Sequence, residues 1–191
     1  MTRIMKLFGV SALAVSLSCA AAIAASAHRS FQSSLSPASG PYEEWLSEQV
    51  RHQLVLLPFY SVFDNLQYAV DGTEVTLLGQ VTQPVLKIDA EYAVKGIEGV
   101  TKVTNNIEVL PVSPMDDQIR RAEFRAIYHE PALRRYAYGP VPPIHIIVKN
   151  GHVTLEGVVA NQGDRDLVYM RALGVPGVFS VTNNLRVESR D

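Results

Sequence analysis

Cysteine is all but missing from this 191-residue chain, where Cys19 stands alone. It falls in an amino-terminal stretch that reads as an export signal, so the mature chain is expected to carry none. A disulfide, a thiolate nucleophile and a cysteine-ligated metal are then excluded. A basic surplus is missing too. Loss of residues 1–27 removes Arg3 and Lys6 but no acid, leaving 15 basic against 19 acidic side chains, a net charge of −4. A dedicated nucleic-acid binder would show the opposite balance. The chain has no Gly-x-Ser-x-Gly motif, and its isolated glycines form no phosphate-cradling loop. The histidines, His28, His52, His129, His145 and His152, are scattered. His145 and His152 share a strand face on the order of 10 Å apart, with no acid or cysteine spaced to complete a metal site. No cofactor is expected.

What is present begins with the ends. Arg3 and Lys6 precede the apolar run Leu7–Leu17, and Ala25-Ser26-Ala27 supplies small residues for cleavage. The run is about half the roughly 20 residues that span a bilayer. Residues 1–27 are therefore expected to be a removed signal peptide and the protein periplasmic, peripheral rather than transmembrane. The competing reading makes Cys19 a lipidated N-terminus, although Ser16 and Leu17 stand where a lipobox has a large aliphatic and then a small residue. Residues 28–40 read as a flexible segment.

The body of the chain is written twice. Val75–Val109 and Val153–Val187 align without a gap at an offset of 78. The phrase Val75-Thr76-Leu77 returns as Val153-Thr154-Leu155, and Val103-Thr-Asn-Asn106 as Val181-Thr-Asn-Asn184. Upstream the offset is 73, pairing Pro58 with Pro131, because the second copy has gained about five residues in Tyr136–Pro143. Self-similarity at a fixed long offset marks duplicated units. The domains are expected at 41–112 and 113–189.

Each copy reads as helix, hairpin, helix, strand. Leu46, Val50, Leu54 and Leu57 recur at helical spacing after Ser39-Gly40-Pro41, and Ile119, Ala122, Ala126 and Ile127 after Ser113-Pro114. Asn150-Gly151 is the favoured pair for a two-residue hairpin turn. Counting outward sets Val148 by Val153, Ile146 by Leu155 and Ile144 by Gly157. With Gly72-Thr73 as the other turn, Val70 faces Val75, Tyr68 faces Leu77 and Leu66 faces Gly79. The glycine closing each apolar face is expected to make room for a packed helix. Gly99 and Gly177 are expected to be left-handed helix ends. A helix crossover gives a parallel third strand. The fold class is α+β: two tandem α-β-β-α-β domains, each a mixed three-stranded sheet with two helices on one face.

These residues resemble the BON domain family, a module of exported bacterial proteins. The likeness is carried by Thr73-Glu-Val-Thr-Leu-Leu-Gly-Gln-Val81, Gly99-Val100 and Val103–Val109, and again by Gly151-His-Val-Thr-Leu-Glu-Gly-Val-Val159, Gly177-Val178 and Val181–Val187. The first copy departs at Thr73, its glycine lying one place earlier at Gly72. A tandem pair behind a signal peptide is similar to the osmotic-stress and envelope-maintenance members. The resemblance implies phospholipid-surface binding without catalysis.

The motif itself consists of core valines, turn glycines and Asn105 or Asn183, which are expected to bond neighbouring backbone rather than ligand. Glu43-Glu44 and Asp116-Asp117 open helices, where negative charge suits the dipole. One patch invites more. With Ile119, Ala122 and Ala126 inward, the opposite stripe of the second copy's first helix carries Arg121, Phe124, Arg125 and Tyr128, flanked by Arg120, with Arg134 and Arg135 beyond. Arginines beside aromatics suit an anionic phospholipid surface; equally, Phe124 and Tyr128 can pack against the other copy. The matching stripe of the first copy, Glu48, Arg51, His52 and Val55, is poorer in both. The alternative function is a protein–protein docking module of the cell envelope, with an envelope protein or a second copy as partner.

Overall fold

A computed structural model describes residues 40–139 and 141–188. The expected export signal with Cys19, the segment 28–39 and residue 189 lie outside the described residues. The first copy comprises α1 (Pro41–Val55), β1 (Asn65–Asp71), β2 (Glu74–Val81), α2 (Pro84–Lys95), β3 (Lys102–Asn105) and β4 (Glu108–Val109). The second repeats it as α3 (Pro114–Tyr128), β5 (Ile144–Lys149), β6 (His152–Val159), α4 (Gln162–Leu173), β7 (Ser180–Asn183) and β8 (Arg186–Val187). The fold is α+β, twice. Among the described residues no helix is long and apolar enough to cross a membrane.

Among the described residues proline opens three of the four α-helices at positions where its missing N–H costs nothing: Pro41, Pro84 and Pro114. The helical period then buries Leu46, Val50 and Leu54 of α1 and Leu86, Ala90 and Val94 of α2 against Val75, Leu77 and Val81 of β2. The second core gathers Ile119 and Ile127 with Ile144, Ile146, Val148, Val153, Leu155, Val168 and Ala172.

The hairpin registers follow the alternation. Val148 faces Val153, Ile146 faces Leu155 and Ile144 faces Gly157; Val70, Tyr68 and Leu66 face Val75, Leu77 and Gly79. Asn150 and Gly151 both take positive φ, 53° and 76°, as a two-residue turn with the strands' twist requires. In each copy the central strand pairs antiparallel with the hairpin strand and parallel with the strand after the crossover.

Two glycine assignments are corrected. Gly79 and Gly157 do not make room for a helix. Their φ values are 109° and 121°, and a Cβ would stand 1.9 Å from the carbonyl oxygen of Asn65, the first residue of β1, or of Pro143, just before β5. They let the hairpin backbones close on each other. Nor do Gly99 and Gly177 end helices. Those ends are Gly96 and Gly174, both right-handed, and Gly99 and Gly177, at φ 90° and 89°, serve the turn beyond.

The last strand breaks once in each copy. β3 and β4 both lie parallel to β2 in one register, as do β7 and β8 along β6. At the break Asn105 Oδ1 accepts from Ile107 N at 3.2 Å and its Nδ2 donates to Lys87 O at 2.8 Å. Asn183 repeats both bonds with Leu185 N and Arg165 O. The side chain thus replaces the missing ladder bonds and ties strand to helix, a backbone role as expected.

The copies share more than a linker. The loop between α1 and β1 crosses to the second copy, where Val62 is buried in its core and Val62 O accepts from Ile146 N at 2.7 Å. Phe63 meets Phe124 edge-on at 6.3 Å, and Tyr60 stacks on His145 at 5.6 Å. Burying Val62 contributes on the order of 1.5 kcal/mol. Asp64, itself buried, holds the loop's exit by accepting from Ser61 N, Ser61 Oγ, Thr82 N and Thr82 Oγ.

Candidate functional site

The first turn of α3 is held from both sides. Ser113 Oγ accepts from Asp116 N at 3.2 Å, and the Asp116 carboxylate accepts from Asn150 N and Gly151 N at 2.9 and 2.8 Å. Glu43 does the same for Gly72 N at 3.0 Å. These helix-opening acids therefore also pin the hairpin turn, a task that spacing along one helix does not reveal.

The expected inward line of α3 is corrected. Its buried residues are Asp116, Ile119, Arg120, Glu123, Ile127 and Tyr128, while Ala122 and Ala126 are only half-buried. The cause is the edge strand β5, whose outward carbonyls need donors. Arg120 Nη2 donates to Val148 O at 2.7 Å and its Nη1 to Asp117 Oδ1; Tyr128 Oη donates to Ile144 O. Long polar side chains on the helix thus reach over the edge, and that requirement rotates the helix. Phe124 is half-buried between Tyr128, at 4.9 Å, and Phe63 of the first copy. The seam reading holds for Phe124, and neither Arg120 nor Tyr128 faces outward.

The insert is also tied down. Tyr136 is buried, donates to Asp164 Oδ2 and accepts from Ala160 N at 2.8 Å. Arg135 pairs with the same carboxylate and lies over the Tyr136 ring at 5.1 Å. Of the seven residues singled out, Arg121, Arg125 and Arg134 remain exposed and, among the described residues, without an ion pair.

Arg125 borders a groove between α3 and α4. Ala122 and Ala126 form its floor, Met170, Arg171, Gly174, Val175 and Pro176 its far wall, around an open volume of about 350 Å³. Arg171 is paired with Glu130, and Met170 is 60% exposed. The alanines that read as core are small because two helices meet over them. Met170 and Arg171 enter this site only through tertiary packing. Their sequence signal is the contrast with Tyr92 and Ala93 at the same places in the first copy.

Other ionisable groups have local explanations. His145 is held neutral by burial, which lowers its pKa, and His152 bonds Ser180 Oγ at 2.7 Å. Among the described residues no three metal-ligating side chains converge. Burial also raises the Tyr60 hydroxyl to about 12. Glu123 is fully buried without a hydrogen-bond partner, and desolvation raises its carboxyl to about 8. It titrates inside the core, away from the groove's exposed arginines.

A search of curated proteins finds no match. Among solved structures, the chain is similar to CdsD, a structural protein of the Type III secretion system of Chlamydia trachomatis, at 12% identity, over 76% of this chain and 93% of that one, with a TM-score of 0.32. It is also similar to the CdsD C-terminal domain, at 13% identity, over 75% and 98%, with a TM-score of 0.27. The family model described as BON domain matches residues 42–111 and 132–189, one segment in each copy and more than half of the chain. With the duplicated hairpin, the crossover strand and its asparagine tie repeated in both halves, the protein belongs to the BON domain family as a tandem pair.

Proposed function

We propose that this protein is a non-enzymatic, exported envelope protein that binds the surface of an anionic phospholipid membrane through its second copy. The observation carrying the reading is the pair Arg121 and Arg125, four residues apart on the exposed side of α3, with Arg125 bordering the open α3/α4 groove. A chain of net negative charge concentrates unpaired positive charge there. Side chains four apart on a helix lie one above the other, so both guanidinium groups reach one plane of phosphates. Met170, exposed across the groove, supplies apolar surface at headgroup depth. Arg134 stands beyond the end of α3 and extends the charged area. Peripheral attachment suits the described helices, none of which is long and apolar enough to cross a membrane, and the role proposed with it is envelope maintenance or osmotic stress.

The test is sedimentation with vesicles. Near an anionic leaflet each arginine is worth about 1 kcal/mol, so the pair carries roughly 2 kcal/mol, about thirtyfold in affinity. Arg121→Glu with Arg125→Glu should abolish binding to anionic vesicles at modest salt, leaving the circular dichroism spectrum unchanged. High salt should weaken the wild type in the same way. Glu48→Ala and His52→Ala in the first copy should do little. Wild-type chain that ignores anionic vesicles, or a double mutant that binds them equally well, sinks the lipid reading and leaves protein docking in its place.

A further inference from the structure

The second copy closes the edge of its sheet at β5. Val62 O accepts from Ile146 N, and the side chains of Tyr128 and Arg120 donate to Ile144 O and Val148 O. In the first copy the same edge belongs to β1. Thr101 N, Asn106 N and Leu110 N donate to Thr73 O, Leu77 O and Val81 O, so alternate residues of β2 face the last strand. The residues between them face Asn65, Gln67, Ala69 and Asp71 of β1. Leu66, Tyr68 and Val70 therefore aim their backbone groups outward, at the places of Ile144, Ile146 and Val148.

Nothing equivalent covers them. In α1 the places of Arg120 and Tyr128 hold Ser47 and Val55. Ser47 Oγ reaches only the Tyr68 hydroxyl, at 3.1 Å, and the Val55 side chain has no donor. The Tyr60 hydroxyl stands against the backbone at Leu66. Among the described residues, β1 pairs with no strand but β2, and no hydrogen bond reaches the outward backbone groups of Tyr68 or Val70. Ile146 and Val148 are fully buried, whereas Tyr68 and Val70 are only partly so. The strand carries neither lysine nor proline to guard an open edge.

We propose that this edge docks a second molecule of the same chain, whose own β1 lies antiparallel across a two-fold axis at Ala69. Tyr68 then faces Val70 of the other molecule and exchanges both backbone hydrogen bonds with it, and the axis repeats the exchange. Three features make the edge its own mate. Ala69, the smallest side chain of the strand, falls at the axis, where a non-hydrogen-bonded pair brings side chains closest. Gln67 falls opposite Asp71, an amide donor against a carboxylate. Along this edge runs the side of α1 that places Glu43 on Gly72 N and Ser47 on Tyr68. The axis reverses that helix, so its acidic half, Glu43, Glu44 and Glu48, lies along the half of the other α1 that carries Arg51. This interface uses the first copy alone and stands apart from the membrane reading.

Light scattering on the full mature chain should show a dimer at micromolar concentration. Ala69→Lys and Ala69→Glu each set like charges across the axis and should weaken association at least about tenfold, with circular dichroism unchanged. Mixing the two variants sets opposite charges there and should restore the dimer. Amide exchange at Tyr68 and Val70 of the wild type should slow as protein concentration rises, a reading that needs no substitution. A wild type that stays monomeric overturns the proposal. A dimer indifferent to Ala69→Lys, or a mixture of variants that stays monomeric, overturns it as well. Exchange already slow in the dilute chain would show the edge covered by the chain itself, with the same consequence.

Discussion

Glu123 puts a charge-bearing group where the first copy has Val50, at a position fully buried in both. In the unfolded chain its carboxyl ionises near 4.5, whereas in the fold it holds its proton to about 8. Below pH 4.5 both states are protonated and the side chain imposes no pH-dependent cost. As pH rises from 4.5 to 8 the unfolded state releases its proton first, and stability falls by about 1.4 kcal/mol per pH unit. The loss is about 3 kcal/mol at pH 7 and levels off above pH 8 at about 4–5 kcal/mol. Glu123→Met keeps the length and removes the charge, so the difference in urea-unfolding free energy between variant and wild type should widen from pH 5 to pH 8. Taking that difference cancels the other titrating groups. A constant gap between the two proteins, or a variant less stable than wild type at pH 9, would show that the carboxylate is solvated in the fold and refute the reasoning.

Three further outcomes follow from the packing. Gly157→Val forces a left-handed β-branched residue against Pro143 O; strain and overpacking together should cost the second copy at least about 3 kcal/mol, read as loss of amide protection across β5 and β6. Tyr136→Phe leaves Ala160 N without its partner and Asp164 with one donor fewer, which should cost about 1–3 kcal/mol and show as proteolytic nicking of the insert. Val62→Asp places a carboxylate in the second core and should separate the melting of the two copies in calorimetry, whereas an unchanged single transition would show the loop contact to be dispensable.

The hairpins were legible because the side-chain period of two leaves one register once Asn150-Gly151 marks the turn. The duplicated phrase fixed their positions twice over. The face of α3 was not. Ala122 and Ala126 look like core and Arg120, Glu123 and Tyr128 like surface, but β5 is an edge strand and its carbonyls draw Arg120 and Tyr128 inward. Glu123 has no such partner, so no pattern of donors and acceptors could reveal its burial. Gly157 was read correctly as a place where a side chain does not fit, and wrongly as to what fills the space, since φ cannot be seen in a sequence. Arg121 and Arg125 kept their exposure because nothing on the edge strand requires them.

The crossing of Val62 and Phe63 into the second copy has a consequence for the order in which the two halves fold. In an exported chain the amino-terminal copy emerges from the membrane first, with the residues of its own core from α1 to β4 at hand. Until the last strands of the second copy arrive, however, those two side chains have no pocket and stand in water. For that interval the half-made chain displays a short apolar hook, ready to be taken by any unpaired strand edge nearby. Its own second half removes the hazard by supplying β5, and the protection is complete only when the carboxy-terminal copy has folded.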